Sequence, residues 1–149
     1  MRQPDYDREM RAITAATRAV NPKLAFVPCS YFPRVTAKFA ADYAGTIDGV
    51  LFPYRHESNK ANLTDATLLK PELARLRELL GPGVPIIVDV YSTAHSRLGA
   101  STPDYVRDVL TQAREAADGV MVYCHPDPKG KDAAKYPVIR EVFGASVKR

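Results

Sequence analysis

The sequence predicts an α/β fold with a parallel sheet, built from four βα units in a single domain that covers residues 1–149. Short apolar runs at residues 24–32, 49–54, 84–91 and 119–124 have the length of buried strands. Segments with helical periodicity separate these runs, as in βα units. Two of the runs also begin with the same Asp-Gly pair, which indicates a repeated unit.

Amphipathic helices are predicted between the strands from the spacing of apolar residues and from helix end signals. The first helix stops at Asn21-Pro22, because the residue before a proline is disfavoured in helical conformation. Gly81-Pro82-Gly83 ends a later helix in the same abrupt way. The predicted helices cover residues 5–20 and 35–43, two segments that begin near Pro71 and Pro103, and residues 137–143.

The predicted strands are continuously apolar, which is typical of a parallel sheet that is covered on both faces. Right-handed crossovers leave two architectures, half of a (βα)₈ barrel or an open doubly wound sheet of flavodoxin type. We favour the half-barrel, because Asp48-Gly49 and Asp118-Gly119 recur two units apart and no strand precedes a glycine-rich phosphate loop. Four strands would leave two sheet edges exposed. We therefore expect a partner half-barrel or a homodimer that closes the ring.

Charge and composition bear on the partners and the compartment. The net charge is +4, and the 21 basic and 17 acidic residues are interspersed, which favours a solvated surface over a nucleic-acid interface. No apolar run has the length of a membrane span, and the first ten residues lack the apolar core of a signal peptide. The two cysteines form no CxxC motif, so a reducing compartment is expected. These features predict a cytoplasmic protein that binds neither nucleic acid nor membrane.

Four segments carry a resemblance to a known class of proteins: NPKLAFVPCSYF, IDGVLFPYRHES, VPIIVDVYSTAHSRLG and ADGVMVYCHPD. They are similar to the later strands and loops of uncharacterised glycoside-hydrolase-like TIM barrels. In such proteins a strand often ends in an aromatic residue next to an acid. The resemblance covers most of the chain and matches the C-terminal half of such a barrel. It implies a carbohydrate-active hydrolase that acts on a sugar or another small polar molecule.

Aromatic and polar residues collect at the carboxyl ends of the predicted strands, where ligands bind in parallel α/β proteins. All three histidines and four of the eight tyrosines lie on this rim, whereas the opposite rim shows only turn residues. This asymmetry predicts a ligand site on the first rim. The candidate ligand-binding residues are Tyr31, Tyr54, Arg55, His56, Tyr91, His95, Tyr123 and His125.

Glu57 and Asp89 are the candidate catalytic carboxylates. Glycoside hydrolysis requires two carboxyl groups that are roughly 5 to 9.5 Å apart, and acids at the ends of adjacent strands, about 4.8 Å apart, meet this requirement. Asp89 is the only charge inside PIIVDVY, and burial of an unpaired carboxylate is costly, so it is either functional or paired with a residue such as Arg97. Glu57 has the alternative of a solvated loop acid paired with Arg55 or Lys60.

Other functions remain open at this point. A non-catalytic module would use the same tyrosines to bind a sugar, and a structural half would act only with its partner. No cofactor is expected, but His56, His95, His125 and Asp89 offer an alternative site for a divalent metal that activates water. The motifs HxH and HExxH are absent, as are a GxSxG elbow and a P-loop.

Overall fold

The computed structural model of the chain describes residues 6–54, 65–93, 101–123, 130 and 133–144. It confirms the α/β class and the parallel sheet. The helices are α1 (Tyr6–Val20), α2 (Ala37–Tyr43), α3 (Leu69–Leu80), α4 (Pro103–Ala116) and α5 (Lys135–Gly144). The strands are β1 (Val50–Pro53), β2 (Ile86–Tyr91) and β3 (Gly119–Tyr123), and a 3₁₀ turn covers Phe32–Arg34.

The three strands within these ranges pair in the order β1-β2-β3, which is also their order in the sequence. Val50 is opposite Ile86 across the first pair, and Ile87 is opposite Gly119 across the second. Each helix contacts the next one along the chain, from α1 to α5, and α3 and α4 also pack on the sheet. The helices thus form a continuous series of contacts, in which α3 and α4 pack on the sheet.

The first predicted strand, residues 24–32, is not confirmed as a full strand. It forms a single parallel bridge, between Cys29 and Leu51, beside β1 on the side away from β2. Ser30 N donates to Leu51 O at 2.9 Å, and Leu51 N donates to Pro28 O at 3.0 Å. Pro28 has no N–H for a sheet ladder, and a proline is tolerated only at the edge of a sheet. The 3₁₀ turn also begins only three residues beyond Cys29. The pairing therefore stops after one bridge.

Alternate residues of the strands point toward the helix layer and are buried there. Their burial against helices α3 and α4 supplies the hydrophobic core, at about 1.5–3 kcal/mol for each large side chain. The core includes Phe52, Ile86, Val88, Val90, Leu73, Leu76, Val106, Val109 and Leu110. The intervening residues point the other way and form what we call the far face of the sheet, which carries Leu51, Ile87, Asp89 and Met121.

Asp48 ties the segment before β1 to helix α1. Its Oδ2 accepts hydrogen bonds from Phe26 N at 2.6 Å and from Arg18 Nη2 at 2.5 Å. Asp48 N donates in return to Phe26 O at 2.9 Å, and Arg18 also donates to Thr46 O at 2.8 Å. The Phe26 N–H, followed by Arg18, stabilises the carboxylate and lowers the pKa of Asp48.

Asp118 makes the same set of contacts before β3. Its Oδ2 accepts from Ile86 N at 2.7 Å and from the guanidinium of Arg77 in α3, and Asp118 N donates to Ile86 O at 3.0 Å. The Ile86 N–H, followed by Arg77, lowers the pKa of Asp118. The two Asp-Gly pairs in the sequence therefore correspond to two carboxylate clamps, each of which joins a helix arginine to the start of a neighbouring chain segment.

The glycine of the first pair has a steric role that the second lacks. A Cβ on Gly49 would lie 3.1 Å from Pro85 O, which accepts the hydrogen bond of Val50 N at 2.8 Å. A Cβ on Gly119 would meet only the Ile87 side chain, at an ordinary 3.6 Å. Close approach of β1 to the start of β2 thus favours glycine at position 49, because a Cβ there would have to displace Pro85 O by a few tenths of an ångström.

Removal of the second clamp tests how much the Asp118 carboxylate contributes to stability as the acceptor of the Ile86 N–H. We expect Asp118→Ala to lower the free energy of unfolding by about 1–3 kcal/mol at neutral pH, because the N–H of the buried Ile86 loses its acceptor. Asp118→Asn keeps an acceptor oxygen and should cost less, so it is the matched control. The measurement is urea unfolding of the three proteins.

The pH dependence of the same proteins gives the charge contribution. The pKa of Asp118 is lower in the folded than in the unfolded chain, so the stabilisation is complete above the unfolded pKa and disappears as the pH falls through the folded pKa. The gap between wild type and Asp118→Asn should therefore narrow below about pH 4. Equal losses in the Ala and Asn variants would contradict the importance of the acceptor and favour attraction to Arg77 instead.

Candidate functional site

Five titratable side chains meet at the carboxyl ends of the strands, and we call them the Asp89 cluster: Cys29, Tyr31, Asp89, Tyr91 and Tyr123. The register places Tyr91 of β2 opposite Tyr123 of β3, and their rings contact edge to face with centroids 5.5 Å apart. Cys29 and Tyr31 enter from the segment beside β1 and act electrostatically on Tyr91, as does Asp89. The structure therefore brings together four of the predicted site residues, together with Cys29.

Asp89 is the exceptional member of the cluster. It is only 4% exposed, and within the described part of the chain its Oδ1 has no hydrogen-bond partner. Its neighbours across the sheet are Pro53 and Met121, whose side chains have no hydrogen to donate. Burial raises the pKa of Asp89 to about 6, because desolvation disfavours the charged form. Since buried polar groups in native proteins are almost always paired, an unpaired carboxyl marks a candidate functional group.

Cys29 and Tyr91 stay protonated at neutral pH. Burial, followed by the charge of Asp89, raises the pKa of the Cys29 thiol. The same two causes, in the same order, raise the pKa of Tyr91 far above its ordinary value. Because the thiolate is the reactive form of cysteine, Cys29 is a poor nucleophile here. The cluster instead offers one carboxyl group, aromatic surfaces and hydroxyl groups.

Tyr54 lies outside the cluster, although it follows β1 directly. It is fully buried and shares the helix side of the sheet with Phe52. Its ring stacks on Tyr105 of α4 at a centroid distance of 6.4 Å, and its hydroxyl donates to Asp65 O at 3.2 Å. In this position its side chain has no surface for a ligand, so the predicted binding role does not match its location.

A buried polar network lies next to the Asp89 cluster, directly after strand β2. The Lys135 amine, in a residue that is 3% exposed, donates to Ser92 O, which also accepts from Ser101 Oγ at 3.0 Å. Ser92 donates from both N and Oγ to Tyr123 O, at 3.0 and 3.1 Å. This network joins the ends of β2 and β3 where Tyr91 and Tyr123 meet.

Sequence reasoning did not identify this network. Lys135 is one of several lysines in a polar segment, and serines after a strand are usual turn residues. One signal was available, since Lys135, Val138 and Val142 share a helical face and are all buried. A lysine on an otherwise apolar helix face indicates a buried amine that has acceptors.

The remaining predicted site residues are Arg55, His56, Glu57, His95 and His125, and they lie outside the described residues, as does Arg97. The second catalytic carboxyl and the histidine metal site therefore stay predictions. Among the residues that are described, no three His, Cys, Asp or Glu side chains are grouped so that they could hold a metal ion.

No protein-family model matches the chain, and no curated protein matches it in sequence. In the described ranges, every helix is too short or too polar to cross a bilayer. Function is therefore best argued from the chemistry of the Asp89 cluster.

The unpaired carboxyl makes a prediction about stability. The folded pKa of about 6 exceeds the ordinary 3.8, so the folded chain holds the proton more tightly than the unfolded chain. The destabilisation is absent below the unfolded pKa and grows as the pH rises to the folded pKa. Between pH 4 and pH 7, the unfolding free energy of Asp89→Asn should rise relative to wild type by about 2 kcal/mol.

Chemical unfolding at the two pH values measures this difference. Asp108→Asn, on the exposed side of α4, is the matched control for loss of a carboxyl group. A difference between wild type and Asp89→Asn that stays constant across this range would contradict a buried, unpaired carboxyl at position 89.

Proposed function

We propose that the chain is half of a (βα)₈ barrel, and that the Asp89 cluster belongs to the active site of a carbohydrate-active hydrolase. The observation that carries the proposal is Asp89 itself, which is a buried carboxyl without a hydrogen-bond partner among the described residues. It lies among tyrosines at the carboxyl ends of parallel strands, where barrel enzymes have their active sites.

The strand order supports the barrel over the flavodoxin alternative. In a flavodoxin-type sheet the third strand pairs with the first, and the second lies outside. Here β2 pairs with β1, and the segment with Cys29 lies on the other side of β1, so successive segments follow one another in space. In a barrel, the apolar residues of the far face, Leu51, Ile87 and Met121, would point into the interior.

The proposed chemistry uses Asp89 as the acid. A carboxyl group whose pKa is about 6 is still partly protonated near neutral pH, as a general acid must be. Asp89 would give its proton to the leaving glycosidic oxygen. Glu57, which follows β1 in the sequence, is the proposed second carboxyl, as base or nucleophile.

The tyrosines supply the sugar-binding surface. Tyr31 is 38% exposed and Tyr123 is half-buried, so both rings keep surface that a sugar ring can contact. The hydroxyl groups of Tyr31, Tyr91 and Tyr123 can donate to or accept from sugar hydroxyls. The neutral Cys29 thiol adds a weak donor at the edge of the same cluster.

Hydrolysis is tested by reducing-end release from a panel of oligosaccharides. We expect Asp89→Asn and Glu57→Gln each to lower kcat/KM by roughly 10²–10⁴-fold, the usual contribution of a general acid or base. The wild-type rate should decline above about pH 6 as Asp89 loses its proton. Asp104→Asn, at an exposed side chain of α4, is the control and should retain activity. Full activity in Asp89→Asn would exclude it from the mechanism.

A non-catalytic binding module is the second candidate, because Asp89 is the only carboxyl of the cluster within the described residues. In that case the same oligosaccharides would bind without being cleaved. Binding that persists in both acid variants, with no turnover in the wild type, would favour the module over the enzyme.

The half-barrel proposal predicts a partner that closes the ring of strands. Four segments supply half of the eight strands, so a second copy or a separate half-barrel would have to supply the other half. We expect light scattering during gel filtration to give a dimer of twice 16.4 kDa. Met121→Glu, on the far face of β3 at a 38% exposed position, should yield a folded monomer. A monomeric wild-type protein would contradict closure by a second copy.

A further inference from the structure

One backbone carbonyl at the end of β2 connects four elements of the fold. Ser92 O accepts a hydrogen bond from the amine of Lys135, the first residue of α5, and another from Ser101 Oγ, two residues before α4, at 3.0 Å. Ser92 in turn donates from N and from Oγ to Tyr123 O in β3, at 3.0 and 3.1 Å. Each of the two carbonyl oxygens therefore accepts two hydrogen bonds, one for each lone pair. The proposed hydrolysis does not use this network.

The network and the tyrosine rings lie on opposite sides of the sheet. Ser92 is two residues after Val90 of the core, so its side chain points to the helix side. Lys135 shares a helix face with core residues of α5 and is itself buried, so it reaches Ser92 from that side. Tyr91 and Tyr123 are opposite each other in the register, and their rings meet on the far face. Lys135 can therefore act on the rings only through the backbone.

Helix α5 is attached to α4 at several points, which fixes the position of its first residue. Arg107 of α4 pairs with Glu141, and Arg114 of α4 donates to Val142 O at 2.9 Å. The two helices also pack along each other, and α4 packs on the sheet. A hydrogen bond from an ammonium group is stronger than one between neutral groups. The bond from Lys135 thus connects the end of β2 to a well-anchored helix.

We propose that Lys135 is a positioning residue for the rings of Tyr91 and Tyr123. Its amine holds the carbonyl of Ser92, and Ser92 holds the carbonyl of Tyr123. The backbone from which both rings project is therefore fixed from behind the sheet. The rings belong to the proposed sugar-binding surface, so the functional part of this inference rests on the proposed function. The positional part rests only on the hydrogen bonds.

The position of the rings is tested by NMR on the free protein, with isotope-labelled tyrosine and signals assigned through Tyr91→Phe and Tyr123→Phe. The two rings contact edge to face, so the chemical shift of each depends on the ring current of the other. We expect Lys135→Met, which keeps an apolar stem but removes the donor, to shift both signals. Lys70→Met is the matched control, because it removes an exposed amine from α3, and it should leave both signals in place.

A second variant keeps the test decisive even if Lys135→Met does not fold. Ser101→Ala removes the other donor to the same carbonyl and should shift the same two signals by a smaller amount, because its hydrogen bond is neutral. Tyr43, which is buried in α2, is the reference and should keep its signal. Unchanged signals of Tyr91 and Tyr123 in both variants would overturn the inference. Equal shifts of all three tyrosines would also overturn it, because they would indicate general loosening of the core.

Steady-state kinetics on the oligosaccharide panel separates sugar binding from proton transfer. We expect Lys135→Met to raise KM roughly tenfold with kcat nearly unchanged, because contacts with the rings bind the sugar equally in the ground state and the transition state. Asp89, the proposed acid, lies further inside β2, opposite Met121. The decline of the rate above about pH 6 should therefore be the same in wild type and variant. A lower kcat at an unchanged KM would overturn the role of Lys135 in sugar binding.

Failure of this inference and failure of the proposed function give different results. Cleavage by Lys135→Met with the wild-type KM would leave the hydrolase intact and overturn the positioning role. Oligosaccharides that bind without cleavage would overturn the hydrolase, and roughly tenfold weaker binding by Lys135→Met would still support positioning. If no oligosaccharide binds, the proposed function is overturned, and the NMR signals of the free protein alone decide whether Lys135 positions the rings.

Discussion

The carboxylate clamp at the amino end of a strand is the interaction on which the geometry of the sheet depends. Asp118 accepts the N–H of Ile86 and donates its own N–H to the Ile86 carbonyl, so it sets which residue of β3 begins opposite β2. A shift of register by one residue would turn every side chain of a strand to the other face. The clamp therefore also determines that Asp89 is opposite Met121 and that Tyr91 is opposite Tyr123, one strand length away.

The two ends of the sheet use carboxyl groups in opposite ways. At the amino ends, Asp48 and Asp118 each accept a backbone N–H and pair with an arginine, so both are favoured in the charged form and both stabilise the fold. At the carboxyl ends, Asp89 is buried without a described partner and is favoured in the neutral form. The carboxyls at the two ends of the sheet therefore respond to pH in opposite directions, because folding favours the charged form of Asp48 and Asp118 and the neutral form of Asp89.

The sequence was sufficient for the parts of the fold that depend on apolar periodicity and turn chemistry. The predicted strands at 49–54, 84–91 and 119–124 are confirmed within two residues, and the first helix within one. The strand at 24–32 was not predictable in the same way, because an apolar run at a sheet edge looks like one in the centre, and only Pro28 argued against a full ladder. The rim that we interpreted as turn residues alone contains both clamps. They were not predictable, because a partner arginine that is far away in the sequence leaves no local signal.

The candidate site, like the fold, could be predicted from the sequence only in part. The burial of Asp89 inside a strand was predictable, because it is the single charge in an apolar run. Tyr54 was misplaced because a strand that is buried on both faces has no polar alternation to show which way its last residue points. Tyr54 is two residues after Phe52, so both side chains point to the helix side of the sheet. Tyr91 is two residues after Asp89, so both point to the far face. The side on which an aromatic residue ends a strand therefore decides whether it packs against helix α4 or lies beside Asp89, and the register that the clamps impose determines that side.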